Sequence, residues 1–145
     1  MGYGVPAAVA ASITAPQRTV VCFAGDGDFL MNGQELATAM QYGGAPIVIV
    51  FNNGMYGTIR MHQEREYPER VMGTRLHNPD FAEMAEAFGG YGAHVRRTEE
   101  FEPALKAALA HIREQKRFAL IELQVDPQAI TPNSTLDEIA AMNQH

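Results

Sequence analysis

The sequence predicts an α/β fold, a three-layer sandwich in which helices cover both faces of a parallel sheet. Four short apolar segments alternate with helical segments along the 145 residues, and this alternation is typical of βαβ units with right-handed crossovers. The first two apolar segments, residues 19–24 and 47–52, show no polar alternation, as expected of strands buried on both faces. With 46% hydrophobic and 19% charged residues, the chain is neither disordered nor a coiled coil nor a collagen.

Each element is predicted from its local sequence. The strands are the runs rich in Val, Ile and Phe, at residues 19–24, 47–52, 91–95 and 118–125. Residues 5–14 are rich in Ala, carry Pro6 in the first turn and predict the first helix. A second helix is predicted over residues 33–42, with Asn32 as its cap and Glu35 as the partner in a capping box.

Two further helices are predicted in the second half of the chain. Asn78 and Pro79 indicate the start of a helix that ends near Phe88, before two glycines. Thr98 is the predicted cap of another helix over residues 99–113. The apolar residues of that helix recur on one face, which comprises Phe101, Leu105, Ala108, Leu109 and Ile112.

The length suits a single domain. We treat residues 1–145 as that domain and expect residues 126–145 to form a tail that wraps over its surface. A short helix is predicted within the tail, at residues 136–142.

Charge is distributed unevenly along the chain. Eleven basic and seventeen acidic residues give a net charge of −6, which argues against a nucleic-acid-binding surface. The first 59 residues contain only four charged ones, Arg18, Asp26, Asp28 and Glu35. A lone domain spreads charge over its whole surface, so we expect another chain to cover part of this half. The expected assembly is a homo-oligomer, a dimer or a tetramer.

Three features predict a cytoplasmic protein without a membrane anchor. No apolar run reaches the length of about 18 residues that a membrane span requires. The first residues lack the basic and apolar regions of a secretory signal. The single cysteine, Cys22, has no intrachain disulfide partner and is expected to be inert core within its strand.

Unusual residues follow the first two predicted strands. The first strand leads into Gly25-Asp26-Gly27-Asp28, and the second ends at Asn52-Asn53-Gly54. Glycines after a buried strand let backbone N–H groups approach an anion closely. Because an aspartate in the same turn would repel that anion, Asp26 and Asn53 together suggest a divalent cation that bridges to phosphate. Mg²⁺ binds in this way, through carboxylate and carbonyl oxygens.

The same residues permit other interpretations. The triplet at residues 26–28 also occurs in haloacid-dehalogenase-like phosphatases, but Phe29 and Leu30 follow where those enzymes need Thr or Val. A calcium EF-hand would need an oxygen ligand in place of Leu30, and the third glycine of a dinucleotide fingerprint is missing. Taken locally, residues 53–54 remain compatible with a type I′ hairpin.

Residues 60–75 carry charges of both signs. We predict a solvated, mobile loop there rather than a metal site built from His62, Glu64 and Glu66. The other histidines have no partners at ligand spacing in the sequence and are predicted to be surface residues: His77, His94, His111 and His145.

The strand-end motifs resemble those of a known family. Gly25-Asp26-Gly27 is followed after 24 residues by Asn52-Asn53, which resembles the signature of thiamine-diphosphate-dependent enzymes. The flanking segments resemble the acetolactate synthase and 2-oxo-acid decarboxylase branch. These segments are MGYGVPAA at residues 1–8, Gln34-Glu35, YGTIR at 56–60 and NPDFAEMAEAFG at 78–89. The resemblance reaches residues 129–132 and points to the C-terminal, diphosphate-binding domain of such enzymes.

The resemblance implies roles for individual residues. Asp26, the Asn53 side chain and the Met55 carbonyl would bind Mg²⁺, with diphosphate oxygens and a water completing the octahedral set. Met1 matches the bulky apolar residue that bends the cofactor into a V, which lets it form its own ylid. Diphosphate contacts, largely through backbone N–H groups, are implied for Gly27, Asp28, Tyr56 and Gly57, and Gly25 and Met55 are also expected to bind the cofactor.

The resemblance also implies what this chain lacks. In the family, an earlier domain supplies the glutamate that activates the cofactor, and nothing in this sequence matches that domain or the first strand and helix of the diphosphate domain. We therefore expect a truncated domain that contains no catalytic residue, binds the cofactor poorly and does not turn over alone. Its partner would be a pyrimidine-binding domain or subunit. The parent enzyme, a lyase or transferase, would decarboxylate a small 2-oxo acid, with or without carboligation.

A second hypothesis comes from another functional class. The apolar first half is also compatible with a non-catalytic α/β module that packs against a partner and binds no cofactor.

Overall fold

The computed structural model describes residues 1–142, so His145 and the end of the predicted tail lie outside the described residues. Four parallel strands form one sheet: β1 (Val21–Gly25), β2 (Ile47–Asn52), β3 (Tyr91–Val95) and β4 (Ala119–Gln124), in the order β1-β2-β4-β3. The predicted number, direction and approximate bounds of the strands are confirmed. The helices are α1 (Gly4–Thr14), α2 (Asp26–Asn32), α3 (Glu35–Tyr42), α4 (Gly57–Glu66), α5 (Phe81–Ala87), α6 (Phe101–Glu114) and α7 (Leu136–Met142).

The strand register brings all the carboxyl ends to one edge of the sheet. Gly25 at the end of β1 is the partner of Phe51, and Asn52 at the end of β2 is the partner of Gln124. Segments that leave β1, β2 and β4 therefore start side by side, although they are far apart in sequence. In open α/β sheets this edge is where ligands bind.

One face of the sheet is covered by α1, α2, α3 and α5. Val48, Val50 and Leu120 point into this core from the sheet. The helices contribute Phe29 and Phe81, both fully buried, whose rings meet edge to face with centroids 5.3 Å apart. This packing holds α2 and α5 against the same part of the sheet, next to its carboxyl edge.

The other face is covered by α6, whose predicted apolar stripe packs on β2, β3 and β4. Helices thus lie on both faces, and the three-layer fold class is confirmed. The prediction that β1 is buried on both faces is wrong, because α6 does not cover this edge strand. Val21 and Phe23 are 41% and 66% exposed, whereas Cys22 and Ala24 are buried on the opposite face. Burial and the nearby Asp28 carboxylate raise the pKa of the Cys22 thiol.

Three predicted helix starts are wrong because the proposed caps have other partners. No side-chain cap precedes α3, and Asn32 instead donates to the Gly2 carbonyl at 2.7 Å. The cap of α5 is Asp80 rather than Asn78, since Asp80 accepts from Glu83 N–H at 2.8 Å. Thr98 begins a 3₁₀ turn, Thr98–Glu100, that precedes α6 rather than capping it.

Residues 57–66 form α4, so the prediction of a solvated loop from residue 60 is wrong for this part. Glu64 is only 3% exposed, forms an ion pair with Arg60 and accepts from Glu69 N–H at 2.8 Å. The predicted tail helix is confirmed as α7, which packs against α4. Within residues 1–142, no helix combines the length and apolar character needed to cross a membrane.

The core on the α5 side predicts a contrast between two phenylalanines. Phe81→Ala should lower the free energy of unfolding by about 3–5 kcal/mol, since it leaves a cavity beside Phe29. Phe23→Ala, at an exposed position, should change it by less than about 0.5 kcal/mol. Urea unfolding followed by circular dichroism measures both, and equal losses would contradict this assignment of the core.

Candidate functional site

A cavity of about 440 Å³ opens at the carboxyl edge of the sheet. Every site residue predicted from the sequence lines it: Met1, Gly25, Asp26, Gly27, Asp28, Asn53, Met55, Tyr56 and Gly57. Their separation in sequence is bridged by the parallel strands, which deliver the segments after β1 and β2 to the same place. The structure therefore brings the predicted residues together; their individual roles remain predictions.

Asp26 is the first residue of α2, so the segment interpreted as a turn is the start of a helix. Its carboxylate is 2% exposed and accepts hydrogen bonds from Gly27 N–H and Gly54 N–H, both at 2.8 Å. These contacts join the end of β1 to the segment after β2. Glycine is favoured at position 54 by a left-handed backbone with φ of 72°.

The segment after β2 passes directly into α4. Asn53 Oδ1 accepts from Met55 N–H at 3.1 Å, and Tyr56 N–H donates to the Thr74 carbonyl at 2.8 Å. Within residues 1–142, the strand pairing of this segment is limited to one isolated antiparallel bridge, between Met55 and Arg75. The hairpin interpretation of residues 53–54 is therefore wrong, because no return strand follows them.

Asn78 is a site residue that the sequence analysis missed. Its Nδ2 donates to Asp26 Oδ2 and to Asn52 Oδ1, both at 2.8 Å. The side chain thus braces the Asp26 carboxylate from the loop before α5. The sequence signal, an asparagine before a proline, suggested a helix start and carried no information about partners that are 52 and 26 residues away.

The first residues of the chain are held against α2. Gly2 N–H donates to Asp28 Oδ1 at 2.5 Å, and Asn32 donates to the Gly2 carbonyl at 2.7 Å. These bonds position Met1 at the cavity, where it is 71% exposed. Because the Asp28 carboxylate binds Gly2, the predicted contact of Asp28 with the diphosphate would be made by its backbone N–H group.

The remaining wall comes from α4 and from the tail. Thr58, Ile59 and Met61 line the cavity from the helix, and residues 129–131 line it from the tail. Because α7 packs on α4, the two walls support each other.

Two of the histidines that were predicted to be surface residues contact other side chains. His94 is exposed, yet its Nε2 lies 3.1 Å from Asp80 Oδ2 and its Nδ1 lies 3.2 Å from Glu122 Oε2. His111 packs against the Tyr91 ring, with centroids 5.5 Å apart. Burial, followed by the Arg117 charge, lowers the pKa of His111. His77 is exposed, as predicted.

The donor set of the cavity suits a hard divalent cation. Asp26 is buried and accepts three N–H groups, but within residues 1–142 it forms no ion pair with a basic side chain. A carboxylate offers about four acceptor positions, so a position remains for a cation. Asn53 and Met55 line the same cavity and add oxygen donors of the kind that Mg²⁺ prefers.

Comparison with known proteins identifies the family. Residues 1–123 match the family described as thiamine pyrophosphate enzyme, C-terminal TPP binding domain. The chain belongs to this family. The match confirms the predicted recognition, with thiamine diphosphate (thiamine pyrophosphate) as the cofactor that the domain binds.

Curated relatives of this TPP-binding domain are acetolactate synthases. The chain is 42% identical over 113 residues to the acetolactate synthase of Arthrospira platensis, covering 77% of this chain and 20% of that protein. It is 37% identical over 127 residues to the acetolactate synthase isozyme 3 large subunit of Escherichia coli (strain K12), covering 87% and 22%. The chain therefore spans about a fifth of the length of these relatives.

A solved structure supports the fold as well as the family. The Rhodococcus jostii RHA1 thiamine diphosphate-dependent 4-hydroxybenzoylformate decarboxylase superposes with a TM-score of 0.78 at 33% identity. The match covers 87% of this chain and 23% of that one. The TPP-binding domain is thus acetolactate-synthase-like in sequence and shares its architecture with a decarboxylase.

The cavity wall predicts different tolerance at two glycines. A Cβ at Gly27 would overlap the Tyr56 ring, whereas a Cβ at Gly25 meets nothing within 4 Å. Gly27→Ala should therefore lower the free energy of unfolding by about 1–3 kcal/mol. Gly25→Ala, at an ordinary extended backbone position, should change it by less than about 0.5 kcal/mol. Chemical denaturation measures both variants, and a larger loss for Gly25→Ala would contradict the described wall.

Proposed function

We propose that this chain is the diphosphate- and Mg²⁺-binding domain of a thiamine-diphosphate enzyme that acts on small 2-oxo acids. The parent reaction is decarboxylation, with or without carboligation to a second carbonyl compound. The observation that carries this proposal is the buried Asp26 carboxylate beside Asn53 and Met55, which lacks a basic partner in the described residues. A buried charge is costly unless it is paired, and Mg²⁺ would provide the pairing.

Asp26, the Asn53 side chain and the Met55 carbonyl are proposed to hold the metal. Asn53 Oδ1 accepts one hydrogen bond, from Met55 N–H at 3.1 Å, and an amide oxygen has a second lone pair available. The three N–H donors on Asp26 hold its carboxylate in one orientation. This preorganisation reduces the entropy lost on binding.

The diphosphate is proposed to lie between the starts of α2 and α4. Gly25, Gly27 and Asp28 lie at the first of these, and Tyr56 and Gly57 lie at the second. The first N–H groups of a helix have no partner within the helix. Those of Gly27 and Tyr56 already donate, to Asp26 Oδ1 and to the Thr74 carbonyl, so we propose that the N–H groups of Asp28 and Gly57 face the diphosphate.

Met1 is proposed to pack against the cofactor. Its position is fixed because Asp28 and Asn32 hold the adjacent Gly2. When bound, thiamine diphosphate supplies an electron sink for decarboxylation of the 2-oxo acid. We assign no catalytic residue to this chain and propose that the activating glutamate comes from a pyrimidine-binding domain or subunit. The chain is then inactive alone.

The apolar surface beside the cavity supports such a partner. Tyr3, Phe23 and Phe51 are 80%, 66% and 41% exposed, and the rings of Phe23 and Phe51 are adjacent, with centroids 6.2 Å apart. Exposed apolar patches of this kind mark interaction sites. We propose that the partner domain or a second copy covers them, in a cytoplasmic homo-oligomer with no nucleic-acid or membrane partner.

The same surface favours the second hypothesis, a non-catalytic interaction module. The two hypotheses differ in the use of the cavity, since the module would bind its partner without any cofactor.

Calorimetric titration of thiamine diphosphate into the chain tests the proposal. Weak binding is expected with Mg²⁺ and none with EDTA. Asp26→Asn keeps the shape of the side chain but removes its charge. Because it removes a proposed metal ligand, it should weaken binding by at least about a hundredfold, the upper end of what loss of a supporting residue costs.

The matched control is Glu102→Gln, which removes an exposed carboxylate paired with Lys106 and should bind like the unaltered chain. Binding that persists in EDTA or in Asp26→Asn would contradict the metal assignment. Absence of binding in every condition would favour the interaction module.

A further inference from the structure

We propose that Glu122 is a positioning residue for the metal site and acts on Asp26 through Asn52 and Asn78. This inference rests on the proposed function, because it concerns the same site. Glu122 lies in β4, does not line the cavity and is 7% exposed. Its effect on the site would be transmitted entirely by side-chain amides.

A continuous series of hydrogen bonds joins Glu122 to Asp26. Asn52 Nδ2 donates to Glu122 Oε1 at 2.6 Å, and Asn52 Oδ1 accepts from Asn78 Nδ2 at 2.8 Å. The same Nδ2 donates to Asp26 Oδ2 at 2.8 Å. Gly54 N–H closes the network, since it donates to Asp26 Oδ2 at 2.8 Å and to Asn52 Oδ1 at 3.2 Å.

The charge of Glu122 determines which way both amides face. An ionised carboxylate only accepts hydrogen bonds, so Asn52 must turn its NH₂ towards Glu122. Its carbonyl oxygen then faces Asn78 and Gly54, both of which donate. With Asn52 reversed, its NH₂ would oppose these two donors.

The Asn78 side chain is oriented by the partners of its NH₂ group alone. Its Oδ1 is buried and has no hydrogen-bond partner among the described residues, which is a costly state for a polar atom. The amide keeps this orientation because acceptors of Asp26 and Asn52 both face its NH₂. One of the three donors to the Asp26 carboxylate, Asn78 Nδ2, is therefore oriented by Asn52 and through it by Glu122.

Glu122 is itself fixed from the opposite side. Its Oε2 accepts from Phe81 N–H at 3.2 Å and lies 3.2 Å from His94 Nδ1. His94 is the register partner of Glu122 across β3 and β4, and its other nitrogen faces Asp80, the cap of α5. Two elements thus hold the carboxylate at the base of the network.

The three side chains of Asp80, His94 and Glu122 are close enough to hold a metal ion of their own. Their existing contacts favour positioning instead. Both oxygens of Glu122 already accept N–H groups, and the two nitrogens of His94 face different carboxylates. A metal ion held by all three side chains would have to take the place of at least one of the two contacts between His94 and a carboxylate.

The test uses Glu122→Gln and Asn78→Ala in the 145-residue chain. Glu122 accepts from Asn52 Nδ2 with one oxygen and from Phe81 N–H with the other. Glutamine replaces one of these oxygens by an NH₂ group, so one of the two donors would face another donor. In titrations with thiamine diphosphate present, the Mg²⁺ concentration that gives half-saturation should rise about tenfold in both variants, as is typical when a residue behind a metal ligand is lost. A general loss of stability would not shift this Mg²⁺ dependence in a chain that remains folded.

A second measurement needs no cofactor. Amide hydrogen exchange of Gly54 in the free chain reports its bonds to Asp26 and Asn52 directly, and both variants should lose protection there. The control is Glu100→Gln: Glu100 also accepts backbone N–H groups, from Arg96 and Arg97 at 2.9 and 3.2 Å, but lies outside this network. It should leave Gly54 exchange and the Mg²⁺ dependence unchanged.

Unchanged Gly54 exchange and unchanged Mg²⁺ dependence in Glu122→Gln and Asn78→Ala would overturn the inference and leave the proposed function intact. Failure of the unaltered chain to bind thiamine diphosphate would instead overturn the proposed function, and with it the role of Glu122 in metal binding. A zinc ion that binds the unaltered chain, is lost in His94→Ala and leaves the thiamine diphosphate titration unaffected would show a separate metal site and also overturn the positioning role.

Discussion

The Asp26 carboxylate is the group on which the geometry of the cavity depends. It is buried at the junction of β1 and α2 and accepts hydrogen bonds from its own helix, from the segment after β2 and from the loop before α5. A buried charge requires such donors, because desolvation without them is unfavourable. Three segments that are distant in sequence are therefore tied together at one point, and that point is the centre of the proposed metal site.

The parallel sheet makes this convergence feasible. Since β1 and β2 are adjacent and run in the same direction, their final residues place Asp26 and Asn53 at one edge. The insertion of β4 between β2 and β3 brings Glu122 beside Asn52. The core beneath, where Phe29 and Phe81 pack edge to face, holds α2 and α5 so that their first residues face this edge. The apolar packing of α2 and α5 therefore helps to position the side chains that form hydrogen bonds at this edge.

The sequence by itself determined the class of fold and most of the candidate site. Runs such as residues 47–52 predict buried parallel strands because they contain no polar alternation, and the order of strands and helices then defines the carboxyl edge. Asp26 and Asn53 were identified from their chemistry and their position after those strands, whereas Met1, Asp28, Met55, Tyr56 and Gly57 were implied by the resemblance to thiamine-diphosphate-dependent enzymes. All the predicted site residues line the same cavity. The topology leaves little freedom in where strand ends lie, and Met1 joins them because Asp28 and Asn32 hold the adjacent Gly2.

Only the tertiary structure decided the partners of individual polar side chains. Asn78 was interpreted as a helix cap but braces Asp26, and His94 was interpreted as a surface residue but contacts Asp80 and Glu122. Glu64 was placed in a solvated loop and is instead buried against Arg60. Local patterns report periodicity and turn preference, which depend on neighbouring residues. A hydrogen bond between residues about 50 positions apart depends on strand order and register, and these exist only once the whole sheet has formed.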